Sequence, residues 1–166
     1  LKGARDIIAE QVSEDEQARN TVRFAFSRQA VITAKVVKGK ESEADKYRDY
    51  FEFSKPLKKC TSHQLLAIRR AEAEGLLKVS ISPDDEECVE RLERRFVRSN
   101  NASGEQVAEA GQDAYKRLLK SSIETEFAAQ SKEQADEEAI RVFVQNLRQL
   151  LLASPLGQKR VMGIDP

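Results

Sequence analysis

Apolar residues recur every three to four positions along most of this chain, and nearly every such run opens on a residue able to cap a helix. After an amphipathic opening, Ser13-Glu14-Asp15-Glu16 has the form of a capping box. Val22, Ala25, Phe26, Ala30, Thr33, Val36 and Val37 follow it at helical intervals. Thr61-Ser62-His63-Gln64 predicts a second start, with Gly75 suited to end that helix in a left-handed turn. Ser82-Pro83-Asp84-Asp85 predicts a third: Ser as cap, Pro at the first helical position and carboxylates facing the positive dipole end. Its apolar stripe is Cys88, Val89, Leu92 and Phe96, and Asn100-Asn101 breaks it. Ser103 with Gln106 opens the next helix, through Val107, Ala110, Ala114 and Leu118. Beyond it, Ser121 with Glu124 or Ser131 with Gln134 can each start another, so the pattern fits one long helix or two. Ile140, Phe143, Val144, Leu147, Leu150 and Leu151 then form an unbroken stripe up to Pro155, as core or as an exposed docking face.

Two segments depart from this rhythm. Leu76 to Ile81 alternates apolar and polar between Gly75 and Pro83, which predicts a short strand in need of a partner. Val161 to Ile164 is the better candidate partner and Tyr50 to Phe53 the weaker, while Lys38 to Glu43 reads as a loop. The expected fold is therefore mainly α, a multi-helix bundle with at most one or two short strands. Val161-Met162-Gly163-Ile164 also delivers Asp165 into a proline turn, as a first strand delivers a carboxylate to a sheet edge. Together with an opening on Leu1, this makes the chain an expected piece of a longer protein.

Composition narrows the function. The 166 residues suit about one domain, and their formal net charge of zero gives no whole-chain attraction to nucleic acid or an anionic membrane. No apolar stretch approaches the roughly 20 residues of a membrane span, so no membrane is expected and the location is expected to be cytoplasmic. Cys60 and Cys88 are too few for a disulfide framework and are expected free. Cys60-Thr61-Ser62-His63 has half the spacing of a zinc site, but Cys88 is the only other Cys or His, and a metal needs three or four ligands. No metal or other cofactor is expected. With a single His, no Gly-rich phosphate loop and no nucleophile elbow, no catalytic residues and no enzyme are expected either. Asp165 is one carboxylate without a site.

Charge is unevenly placed. From Arg19 to Arg70 there are 13 basic residues against 5 acidic, whereas Glu124 to Glu138 holds six carboxylates against Lys132. Arg23, Arg28, Lys35, Lys38, Lys40, Lys58 and Lys59 are the candidate phosphate-binding residues. The plainer alternative is that the acidic helix packs beside the basic segment, or that both are solvated faces.

Tyr47-Arg48-Asp49-Tyr50-Phe51 with Leu57-Lys58-Lys59, then Ser62-His63 leading through Leu66-Ala67 to Glu74-Gly75-Leu76, closely resembles the Tex family of bacterial transcription accessory proteins. So do Ala4 to Glu10, Val37-Lys38-Gly39-Lys40, and Glu138 to Phe143 continuing into Asn146-Leu147-Arg148 and Leu150 to Leu152. Gln64 and Arg69-Arg70 stand where members usually show Arg and Arg-Gly. The resemblance implies that residues 1–158 are a helical region with helix-turn-helix character and that 159–166 begin an RNase-H-like domain, with helix-hairpin-helix and S1 domains further on. It implies a non-catalytic scaffold associated with nucleic acid, RNA or DNA, bound weakly and without sequence preference, and with the transcription machinery. The alternative is a helical domain that docks other domains or RNA polymerase without nucleic acid.

Overall fold

The computed structural model of the chain describes residues 2–155 and 157–164. Its first two helices, α1 (Lys2–Glu14) and α2 (Glu16–Gln29), meet at Asp15. The Asp15 carboxylate, not Ser13, caps α2 by accepting the Ala18 amide at 2.7 Å, and that bond holds its pKa below the usual carboxylate range. Ser13 instead donates to the Glu10 carbonyl within α1.

The helix expected to run to Val37 stops at Gln29. Ala30 turns extended, at ψ 131°, and Val31–Val36 becomes strand β1. Val31, Ile32, Thr33 and Val36 are stiff at χ1 and favour a pleated surface, and the buried positions Ile32 and Ala34 alternate with period two. Strands β2 (Glu52–Pro56) and β3 (Leu77–Ser82) flank it in a three-stranded antiparallel sheet of order β2-β1-β3. Ile32 lies opposite Lys55 and Ile81, and Ala34 opposite Phe53 and Val79. This corrects the expectation of one or two strands. It also changes β3's partner, which is β1, while Val161 to Ile164 is exposed and forms no strand.

Helix α3 (Ser62–Ala73) starts as expected. Thr61 accepts the Gln64 amide, and the Gln64 side chain accepts the Thr61 amide and bonds Lys55 at 3.1 Å, which gives the Gln at this position a structural role. Gly75 ends it at φ 69°. Helix α4 (Asp85–Phe96) is capped by Asp84, whose carboxylate reaches the Glu86 and Glu87 amides, and Ser82 closes β3 instead. Helix α5 (Ala102–Asp113) is capped by Asn101, two residues before the expected Ser103. A wide π turn over Ala114–Leu119 carries α5 straight into α6 (Lys120–Leu151), so neither Ser121 nor Ser131 begins a helix and the last segment is one helix of 32 residues.

The core draws on both the sheet and the helices. Phe26, Ile32, Ile68, Ile81, Leu92, Tyr115, Leu119 and Ile123 are fully buried, and α3 and the first half of α6 pack beside β3. Burying such side chains is each worth about 1.5–3 kcal/mol. Among the described residues, no helix is long and apolar enough to cross a membrane.

Candidate interaction surface

Helix α6 passes through two environments. Its first half is part of the body: the Phe127 ring lies 5.4 Å from that of Phe26, tilted by 40°, Glu126 pairs with Arg23, and Glu124 accepts the Ile81 amide on the outer edge of β3 at 2.7 Å. From Glu137 to Pro155 every residue is exposed. The helix is about 48 Å long at 1.5 Å per residue, and it outruns the elements that could cover it. The expected stripe is thus present, but outside the core. Phe143 is 64% exposed and Leu150 74%.

Beside the stripe, α3 and α6 enclose an apolar cleft of about 580 Å³, with Leu66 and Ala67 on one wall and Val142 and Phe143 on the other. His63, Arg70 and Asn146 also line it. A second cleft of about 460 Å³, more polar, lies further back along α6 and is lined by Ser27, Lys58, Gln130 and Gln134 among others. Ser62 and Glu138 are shared by the two clefts and are hydrogen-bonded to each other. Burial pushes the Cys60 thiol in the second cleft up, which leaves it protonated at neutral pH and a poor nucleophile. Among the described residues, no group of three or more His, Cys, Asp or Glu is placed to hold a metal. Asp165 lies outside the described residues.

The seven basic candidates do not form one cluster. Arg23 is half-buried, its Nε donating to both Glu126 oxygens at 3.0 and 3.1 Å, so the acidic helix does pack on the basic segment here. Arg28 lies over the Phe24 ring at 5.3 Å. Lys35 is exposed on β1, in register between Glu52 and Lys78. Lys38 is exposed in the turn after β1, and Lys40 donates to the Gly75 carbonyl at 3.1 Å. Lys58 and Lys59 are exposed on the Leu57–Lys59 turn, where the Leu57 amide bonds Ala30 at the opposite end of β1. A six-residue strand therefore separates the two lysine groups by about 20 Å.

Sequence patterning missed the partners that make the cleft, because Leu66 and Ala67 entered only through the Tex resemblance, and Arg70 only through it and as a basic residue of the 19–70 stretch. It also missed a polar cluster under the π turn. Tyr115 donates to Asp85 at 2.6 Å, Lys120 pairs with it at 2.5 Å, and Ser82 bonds it at 3.0 Å. These contacts join β3, α4, the π turn and α6, and serve the fold.

A family model described as Tex central region-like matches residues 1–143. The chain belongs to the Tex family. It is 36% identical to YdcI of Bacillus subtilis and 36% identical to the transcriptional accessory protein Tex of Neisseria gonorrhoeae, in each case over 100% of this chain and 23% of the relative. It is 32% identical to the human S1 RNA-binding domain-containing protein 1, over 99% of this chain and 18% of that one. The Tex-family chain therefore spans about a quarter of the length of the bacterial relatives it matches.

Proposed function

We propose that the chain is a non-catalytic helical scaffold of a Tex-family transcription accessory protein, and that the exposed face of α6 with the α3 cleft docks other parts of that protein. The observation that carries this is the stripe itself: Ile140, Val142, Phe143, Val144, Leu147, Leu150 and Leu151 are all at least 40% exposed on one continuous helix. Water-exposed apolar surface of that extent is unfavourable unless a partner covers it, and contiguous patches of this kind mark interaction sites. The match to a quarter of much longer relatives supplies a source for the cover. Mixing the chain with the separately purified remainder of a Tex-family protein tests it. Wild type is expected to co-elute with the remainder in gel filtration and Phe143→Asp is not; equal behaviour of the two overturns the proposal.

Nucleic-acid association is the second reading, with helix-turn-helix character attached to it. It is favoured by Lys38, Lys58 and Lys59, which are exposed and, among the described residues, in no ion pair. Contacts of this kind are expected to be weak, indifferent to sequence and steeply salt-dependent. No binding of RNA or DNA at low salt removes this reading.

A further inference from the structure

The docking role leaves open what kind of segment lies on the α3–α6 face, and the surroundings of that face narrow it. Resting on that role, we propose that the occupant is an amphipathic α-helix from elsewhere in the Tex-family protein, with an apolar stripe bordered by aspartate and glutamate.

The secondary structure of the partner follows from what the face offers. Both walls are helices whose amides and carbonyls are bonded internally, so no open strand edge is present there for an extended peptide to extend. Affinity has to come from side chains entering a groove between two helices, which is how a third helix packs, at about 8–10 Å between axes. The exposed length from Ala139 to Leu151 is about 20 Å at the helical rise, enough for some three to four turns of contact.

The charge of the partner follows from the border of the stripe. Arg141 and Arg148 are seven residues apart, so they project from the same side of α6, next to Ile140 and Val144. On the other side of the stripe, across the cleft, α3 presents Arg70 and His63. Carboxylates run out at Glu138, which Ser62 engages, and no Asp or Glu occurs from Ala139 to Ile164. The stripe is thus framed by guanidinium groups on both sides, beside apolar surface that strengthens a charge pair once water is excluded. Arginine holds carboxylates bidentately, so acidic flanks would fix the partner's register as well as its orientation. A second copy of this chain fits less well, because the same face would bring Arg141 and Arg148 towards their like-charged counterparts.

The probe is a displayed library of amphipathic helices with a fixed leucine stripe and with flanking positions randomised among Asp, Glu, Lys, Arg, Ser and Gln, selected against this chain. Recovered binders are expected to be enriched several-fold in Asp and Glu at the flanks and to lose at least about tenfold in affinity on Phe143→Asp. Selection against a chain carrying Arg70→Glu, Arg141→Glu and Arg148→Glu is expected to abolish or reverse the acidic preference. These three positions are exposed, so the substitutions are expected to leave the fold intact, which thermal melts of the variants check. Binders that depend on Phe143 but carry neutral or basic flanks overturn the acidic partner and leave the docking role standing. Failure to recover binders, or binders indifferent to Phe143→Asp, removes the docking role itself.

Discussion

Gly104 and Gly111 lie in the same helix, α5, yet a methyl group at each meets opposite surroundings. At Gly104 it would stand 1.9 Å from the Ser99 carbonyl oxygen, in the tight link between α4 and α5. At Gly111 it meets nothing within 4 Å. Gly104→Ala is therefore expected to cost about 1–3 kcal/mol by forcing that link apart, and Gly111→Ala to gain about 0.5–1 kcal/mol from the lower entropy of the unfolded chain. Urea unfolding of the two variants reads both signs. Asp85 gives a third residue-level test. Burial pushes its carboxyl up, but hydrogen bonds from Lys120, Tyr115 and Ser82 outweigh that and hold it below the usual range. A carboxylate whose pKa is lower folded than unfolded adds stability that is complete above the unfolded value of about 3.9 and is lost as pH falls through the folded one. Asp85→Asn is expected to cost about 1 kcal/mol at pH 7, a figure kept small because the side chain is nearly half exposed. It should also flatten the fall in melting temperature below about pH 4.

The two halves of α6 should respond differently to truncation. Ile123 is fully buried, and Ile123→Ala should cost about 2–5 kcal/mol from lost transfer energy plus a cavity. Phe143→Ala and Leu147→Ala remove side chains already in water and should stay within about 0.5 kcal/mol of the parent in the same melts. Nothing in the apolar rhythm of Ile140 to Leu151 distinguishes these cases, because periodicity reports which residues share a helix face and not what lies against that face. The same limit shows at β1. Val22 to Phe26 and Thr33 to Val37 keep one three-to-four-residue spacing, yet the chain turns extended at Ala30, where the β-branched run begins and β3 offers a partner. Local chemistry was legible where it is settled locally, as with Thr61 and Gln64 at the start of α3 and Gly75 at its end. It was misplaced by two residues where several capping side chains compete, as at Asp15, Asp84 and Asn101.

Across the whole molecule, the charge asymmetry visible in the sequence resolves into contacts of different kinds. Arg23 and Glu126 pair across α2 and α6, which explains part of it without any ligand. Lys58 and Lys59 stand at one end of the sheet and Lys38 at the other, a separation that depends on the β1–β2 register and could not be read from residue order. What stays unmatched is the far half of α6: a long apolar face, a cleft against α3 and a border of arginines, on a chain that spans about a quarter of its bacterial relatives. Solvent access at Leu147 tests most directly whether that face is a docking surface. With Leu147→Cys in a Cys60→Ser background, maleimide labelling is compared between this chain alone and a complete Tex-family protein carrying the same substitutions. Rapid labelling of the chain and protection by at least about tenfold in the complete protein is the predicted result; equal labelling rates in the two would contradict it.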